Sequence, residues 1–399
     1  MMKKRIITWV LLLMLITAEI CPVTIQGAVQ PAPEISAPGA VLMEPSTGTV
    51  LYEKNGEEQR SPASITKIMT LLLIFEALED GQITLEEEAV TSAYAKSMGG
   101  SQVFLEEGEK QTVETLIKCI VVASGNDASV VMAEHLAGSE EEFVKRMNEK
   151  ARELGMIHTQ YVDCCGLTDS DAHYTTASDV AIVSRELITR FPRILNYSSI
   201  WMENIIHRTA QGEKEFCLTN TNKLIRSYEG CIGLKTGSTS VAKYCVSAVA
   251  RRGEMTLLAV VMGAPDAKVR FKDAAALLDY GFGKCNLYLD ENRKNPDPVP
   301  VKGGVKKEVA CRYTGEFRYL DTEGKNLSQI EKKIVYMKNL QAPVKKGDIV
   351  GEAQYLLDGK MVGKTDIVAA KSVKKAGLWD YIKHIRKRMI KGDDYSADG

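Results

Sequence analysis

A chain of 399 residues is long enough for two domains, and its 45% hydrophobic and 26% charged content belongs to a globular protein, excluding a disordered or fibrous one. Lys and Arg total 51 against 52 Asp and Glu, a formal charge of -1, so the overall balance asks for no nucleic-acid partner. His135, His158, His173, His207 and His384 form no H-x-H or H-E-x-x-H pattern, and the nine cysteines no C-x-x-C, so no metal is expected.

In chain order, "MMKKR" followed by "IITWVLLLMLI" has the charged start and short apolar core of a secretory signal peptide, assigned to residues 1–28. The apolar run is too short for a comfortable membrane span. The mature chain is therefore expected outside the cytoplasm, where its eight remaining cysteines could form disulfides. Cys119 and Cys245, however, sit in apolar patterns where a thiol behaves as a small hydrophobe. "AVLMEPSTGTVLYEKN" reads as two strands around a Ser-Thr-Gly turn. The next stretch, "RSPASITKIMTLLLIFEALEDG", reads as a helix that is apolar all round from Ile65 to Phe75, the pattern of a helix central to its domain. Ser64 stands at its head and Lys67 one turn later.

"TVETLIKCIVVAS" and "DASVVMAEHLAG" are two helices broken at Ser124-Gly125-Asn126. "SEEEFVKRMNEKARELGM" opens with a capping box from Ser139 to Glu142, and "TASDVAIVSRELITRF" ends before Pro192. From Cys231 the pattern turns to strands, "GCIGLKTG", "KYCVSAVA" and "MTLLAVVMGA", followed by the helix "RFKDAAALLDYGF". Strands, then helices, then strands predict an α+β domain with an antiparallel sheet flanked by helices, over residues 34–284. Past Cys285 a Pro/Gly-rich linker, "ENRKNPDPVPVKGG", leads into a small β-rich domain over residues 297–371. Residues 374–391 form a basic amphipathic helix with Leu378, Ile382, Ile385 and Met389 on one stripe and Trp379 and Tyr381 near it, suited to an anionic membrane surface. Residues 392–399 are an acidic tail.

The chemistry starts with Ser64 and Lys67. Residues i and i+3 share a helix face, so the amine can reach the hydroxyl. Burial disfavours an ammonium and turns lysine into a usable base, and backbone N–H groups around the serine can stabilise an oxyanion. S-x-x-K also occurs at Ser240 and Ser372, but only the Ser64 copy lies on a buried helix. An N-cap serine with a lysine snorkelling to the surface would be the ordinary alternative. Two further motifs separate these readings: Ser124-Gly125-Asn126, in the break between two helices, and Lys235-Thr236-Gly237, at the end of an apolar strand. The ordered set S-x-x-K, S-x-N, K-T-G is used by penicillin-binding proteins and class A β-lactamases.

The chain resembles the low-molecular-mass penicillin-binding proteins, the serine-type D-alanyl-D-alanine carboxypeptidases of peptidase family S11. "SPASITKIMT", "MGGSQVFLEEGE", "SGNDAS", "GLTDSDAHYTTASDVA", "NTNKLI", "GLKTGSTSVAKYCVSAVA" and "LLDYGF" carry the likeness in family order. The resemblance implies a penicillin-binding/β-lactamase-like transpeptidase fold with a helical subdomain and a small C-terminal all-β domain. It makes Ser64 the nucleophile, Lys67 the general base and Ser124 the proton relay to the leaving amine. Asn126 would orient Lys67 and hold the substrate amide. Lys235 would supply positive charge, Thr236 bind the terminal carboxylate, and Gly237 leave the strand edge open to an incoming peptide. The N–H groups of Ser64 and Ser238 would form the oxyanion hole. Arg270 would assist the substrate carboxylate, with a surface salt bridge as its other reading.

The implied substrate is the peptidoglycan stem pentapeptide, with β-lactams as covalent inhibitors and no metal or organic cofactor. The implied location is the outer face of the bacterial membrane. "VDCCGL" departs from the Asn-Pro that relatives place before Gly-Leu, leaving Cys164 and Cys165 without an assigned role. A β-lactamase is disfavoured because Pro192 stands where its water-holding glutamate would be. A D,D-endopeptidase and a non-catalytic wall-binding protein remain as alternatives.

Overall fold

The computed structural model describes residues 31–391. The expected signal peptide and the acidic tail lie outside the described residues.

The central sheet contains β1 (Gly39–Glu44) and β2 (Thr49–Lys54), joined in space to three later strands, β7 (Cys231–Thr239), β8 (Lys243–Arg252) and β9 (Met255–Ala264). It is antiparallel throughout, in the order β2-β1-β9-β8-β7. All six residues of β1 are buried, as a strand covered on both faces requires. Side chains alternate between the faces. Ala40, Leu42, Ala248, Leu257 and Ala259 meet Leu277 and Leu278 of the helix Ala267–Lys284, while Val41, Met43, Val249, Leu258 and Val260 join the core of the helical subdomain.

The middle of that subdomain is α1 (Lys67–Glu79), with nine of its thirteen residues buried, leaving no face for solvent. Around it lie α2 (Val113–Val121), α3 (Asn126–Ala137), α4 (Glu140–Glu153) and α5 (Ala177–Arg190); the Ala267–Lys284 helix is α6. Side chains cap the starts of α2, α4 and α5. Thr112 takes the N–H of Thr115, Ser139 that of Glu142 and Thr176 that of Asp179. A short ladder, β3 (Glu88–Val90) with β4 (Lys110–Thr112), edges the subdomain.

The hairpin β5 (Met202–Thr209) and β6 (Gly212–Thr219) was not expected from the sequence. It is largely exposed and lacks an Asn-Gly or Asp-Gly turn. What fixes it is long-range: His207 Nδ1 lies 2.8 Å from Glu109 Oε1, and Phe216 packs edge-on against Phe104.

The C-terminal module starts earlier than residue 297. β10 (Asn286–Asp290) follows α6 almost directly and pairs with β14 (Phe317–Asp321), so one strand precedes the Pro-rich segment. Five residues without a turn signal before them are easily absorbed into a helix end or linker. After β11 (Val299–Pro300) and β12 (Glu308–Val309), a four-stranded sheet runs β13-β17-β16-β15, formed by β13 (Cys311–Tyr313), β15 (Glu331–Tyr336), β16 (Ile349–Leu357) and β17 (Lys360–Ala369). Its core holds Val309, Tyr313, Val350, Tyr355 and Ile367, with Phe317 stacked on Tyr355 at 3.8 Å. α7 (Leu378–Lys391) ends the described chain, with Leu378, Trp379, Tyr381 and Ile382 exposed. No helix among the described residues is long and apolar enough to cross a membrane. All eight cysteines among them are free thiols.

Candidate active site

Ser64 lies in a 3-10 turn, Ala63–Thr66, immediately before α1 rather than in its first α-helical turn. Ala63 has φ +47°, a left-handed conformation that costs a residue with a Cβ about 1–3 kcal/mol and persists only where its surroundings impose it. Two glycines do so. A Cβ on Gly166 would fall 1.8 Å from the Ala63 carbonyl oxygen, and one on Gly237 would fall 2.8 Å from the Ser64 nitrogen and 2.9 Å from that of Ile65. Gly237 therefore has a steric reason to be glycine: β7 presses against the turn carrying the serine. β7 is also the edge strand of its sheet.

Lys67 is fully buried, so the snorkelling alternative does not hold. Its Nζ lies 2.9 Å from Ser64 Oγ, 2.6 Å from Asn126 Oδ1 and 2.7 Å from the Cys165 carbonyl oxygen. The amide oxygen and the carbonyl oxygen are acceptors only, so each must take an N–H. A neutral amine has two N–H bonds, and its lone pair is then left pointing at Ser64. Burial lowers the pKa of Lys67, opposed in part by the acidic groups of Cys165, Cys164, Asp163 and Asp127. The orientation of Asn126 is fixed because its Nδ2 donates to the Gly99 carbonyl at 2.7 Å. Ser124, 3% exposed, occupies the break before α3 with φ +64°.

Lys235 is buried on β7, where its Nζ donates to the Thr236 carbonyl at 3.0 Å. Burial pushes its pKa well below the lysine value, and the neighbouring Lys67 and Arg270 push it further. Thr236 Oγ1 lies 2.7 Å from Thr221 Oγ1. Ser238 is exposed on the same strand. Arg270 does not make a surface salt bridge. It is 6% exposed, donates from Nη1 to the Gly237 and Cys245 carbonyls at 3.1 Å each, and rests 4.4 Å from the Phe271 ring centroid. Burial holds its pKa at about 10. Lys67, Lys235 and Arg270 thus gather around the Ser64 turn and β7, and none of them is in an ion pair among the described residues. Such a group suits an anionic ligand.

Several contributors escaped the sequence reading. Cys164 and Cys165 act through their backbones, the Cys164 carbonyl accepting from Thr70 Oγ1 at 2.5 Å and the Cys165 carbonyl from Lys67. Asp163 holds their loop by accepting the N–H groups of Cys165, Gly166 and Thr168. Asp127 holds the opposite wall through the N–H groups of Val103 and Leu105. Asn222, inside the quoted "NTNKLI", donates to the Gly233 carbonyl and braces β7. His173 reaches Thr66 Oγ1 at 2.9 Å and takes the Val162 N–H on Nδ1, which makes Nε2 the protonated nitrogen.

A serine hydroxyl within hydrogen-bond reach of a buried lysine amine, beside an edge strand in a helix-flanked antiparallel sheet, is the arrangement of the serine acyl-transfer enzymes of the penicillin-binding class. The sequence agrees, and the chain belongs to the D-alanyl-D-alanine carboxypeptidase family, whose signature spans residues 26–266. Residues 283–375 match the C-terminal domain of penicillin-binding protein 5, in keeping with a second module that starts at β10. The chain is 41% identical over 348 residues to the D-alanyl-D-alanine carboxypeptidase DacF of Bacillus subtilis, covering 87% of this chain and 88% of that one. It is 32% identical over 372 residues to DacC of Escherichia coli, covering 88% of each. Penicillin-binding protein 5 of Haemophilus influenzae superposes with a TM-score of 0.71 at 30% identity, covering 87% of this chain and all of that one.

Proposed function

We propose that this serine D-alanyl-D-alanine carboxypeptidase removes the terminal D-alanine from peptidoglycan stem pentapeptides through an acyl-enzyme on Ser64. The observation that carries the assignment is the Lys67 amine, buried 2.9 Å from Ser64 Oγ with its other two directions committed to Asn126 and Cys165. Lys67 takes the serine proton as Oγ attacks the carbonyl of the penultimate D-alanine. The N–H groups of Ser64 and Ser238 receive the oxyanion. Ser124 passes a proton to the departing amine, so the D-alanine leaves neutral at nitrogen and the carbonyl stays on Ser64. Lys235, Thr236 and Arg270 hold the terminal carboxylate, whose charge compensates the unpaired basic groups. Water, deprotonated by the same lysine, then frees the shortened peptide. A β-lactam presents an equivalent carbonyl and becomes a covalent inhibitor. None of these steps calls for a metal or organic cofactor.

The exported location and peripheral attachment to the outer membrane face belong to the same reading. They are supported by the exposed Leu378, Trp379, Tyr381 and Ile382 of α7 beside the exposed cations Lys374, Lys375, Lys383 and Arg386. The decisive assay is D-alanine release from a short peptide ending in Lys-D-Ala-D-Ala, with Ser64→Ala as control. Release by the wild type alone is expected. A folded wild type that releases none, yet cleaves cross-linked muropeptides, would make the enzyme an endopeptidase.

A further inference from the structure

We propose that Cys164, Cys165 and Glu140 form a binding site for a soft divalent cation, with Zn²⁺ the ion its donors fit, set directly behind the catalytic lysine. The two sulfur atoms and a carboxylate oxygen of Glu140 lie within 4.8 Å of one another. Both thiols are fully buried, and Glu140 opens α4 at the edge of the same loop. Glu140 is already aimed: its Oε1 accepts the Cys164 N–H at 2.9 Å and its Oε2 the Tyr94 hydroxyl at 2.6 Å.

Two sulfurs and one oxygen are the donors of zinc and cadmium, whereas calcium and magnesium require oxygen alone. Around a tetrahedral zinc with bonds of about 2.0–2.3 Å, ligand atoms stand roughly 3.5–3.8 Å apart. Closing from the present spacing takes about an ångström of side-chain rotation. A cleft of about 610 Å³, lined by Tyr94, Glu140, Asn148 and Tyr161 among others, reaches Glu140 from solvent and gives an ion a path to the site.

The Cys164 thiol is directed at Cys165 and at the Glu140 carboxylate. Cys231, Cys245 and Cys311 each donate to a backbone carbonyl, those of Gly233, Ala242 and Val309, while Cys119 and Cys285 sit buried with no carboxylate partner among the described residues. Cys164 and Cys165 make no such bond, and a carboxylate is a poor neighbour for a purely apolar role. Binding exchanges the two thiol protons for the cation, with no change of oxidation state. It also bears on the reaction. The carbonyls of these same two residues hold Thr70 and Lys67, so drawing their side chains onto one ion turns the peptide units that place the base. Occupancy slows acylation.

The test uses the full-length, reduced, metal-free enzyme titrated with CdCl₂, followed by thiolate-to-metal charge-transfer absorption, with ZnCl₂ as competitor. Acylation by a fluorescent penicillin is measured in parallel. One equivalent of Cd²⁺ should bind and be displaced by Zn²⁺, and Zn²⁺ should slow acylation at least tenfold. In a Cys164→Ala/Cys165→Ala variant the absorption should vanish, and whatever acylation it shows should ignore Zn²⁺. Glu140→Gln, which keeps both thiols and the acceptor for the Cys164 N–H, should weaken binding at least tenfold and serves if the double variant does not fold. The proposal fails if folded wild type shows no such absorption, if the double variant retains it, or if the protein is isolated with Cys164 and Cys165 joined in a disulfide. Metal uptake is read apart from turnover, so this outcome is distinct from failure of the carboxypeptidase reading.

Discussion

Two helices of this chain bring lysine and apolar side chains together, in opposite senses. α1 is apolar all round and carries Lys67 inward, to a point with no exposure, where its contacts are a hydroxyl, an amide oxygen and a backbone carbonyl. α7 turns Leu378, Trp379, Tyr381 and Ile382 outward and leaves Lys383 in water beside them. The first arrangement makes charge costly, so the lysine is driven towards its neutral, basic form. The second leaves the charge in place and exposes apolar surface that water disfavours, which suits a helix lying on an anionic interface. On the proposed reading the same two residue types serve chemistry in one place and attachment in the other, and burial decides which.

The comparison breaks most visibly at Lys67. In the proposed mechanism replacement by glutamine removes the base, and it should lower acylation by about 10²–10⁴-fold, measured with a fluorescent penicillin. In the wild type, burial lowers the Lys67 pKa below 10.5, and only the neutral amine accepts the serine proton. The acylation rate should therefore fall as pH drops through that lowered value and level off above it, at a pH below 10.5. The same shift affects stability. Between the lowered value and 10.5 the unfolded chain binds more protons than the folded one, so Lys67 makes stability rise with pH across that window. A limb centred at or above 10.5 would mean that burial does not tune this lysine.

Glycine substitutions sharpen the contrast between the cleft and the C-terminal module. Gly166→Ala combines φ +73° with a Cβ 1.8 Å from the Ala63 carbonyl oxygen, so the turn carrying Ser64 must move. It should cost more than about 3 kcal/mol, the upper range for backbone strain alone, and abolish most acylation. Gly359→Ala has nearly the same φ, +74°, with nothing within 4 Å of the added carbon. It should cost only about 1 kcal/mol and leave acylation unchanged. Thermal unfolding and acylation rates on the two proteins check both. Equal effects would show that crowding at Gly166 is relieved elsewhere.

Arg270 comes next in size. Arg270→Lys keeps a cation but gives up the paired bonds to the Gly237 and Cys245 carbonyls and the contact with Phe271. Loss of a charged hydrogen bond of about 1.5–3 kcal/mol predicts roughly 10–100-fold lower kcat/KM on a peptide with a free terminal carboxylate. An amidated peptide should lose much less. Equal losses on the two would assign Arg270 to bracing β7 alone.

What the sequence made legible follows from where the information lies. The S-x-x-K, S-x-N and K-T-G groups are side-chain chemistry at fixed spacing, and the structure brings Ser64, Lys67 and Asn126 within hydrogen-bond distance. The strands of the central sheet, the long helices and the Ser139 cap were visible because apolar periodicity and capping residues are local signals. The grip of the Cys164 and Cys165 carbonyls on Thr70 and Lys67 was not, because every residue has a carbonyl and only the fold aims it. The β5–β6 hairpin hid for a related reason. Its anchors, Glu109 and Phe104, are about a hundred residues away, and its exposed strands carry little alternation.

The smallest expected effect on catalysis is the largest on location. Val344 and Val373 exchange backbone hydrogen bonds, and the Ala376 N–H reaches the Gly303 carbonyl, so a cut at Ser372 would also unpick the β module. A chain ending at Gly377 keeps those contacts and removes α7 alone. D-alanine release from a soluble peptide should then match the full-length enzyme within twofold, while sedimentation with phosphatidylglycerol vesicles is lost. Basic residues contribute about 1 kcal/mol each near an anionic surface and are screened by salt. The full-length protein should accordingly bind neutral vesicles far more weakly, and high salt should release part of what anionic vesicles hold. A truncated chain that still sediments would move the attachment to another surface and leave the exposed apolar stripe of α7 free for a protein partner.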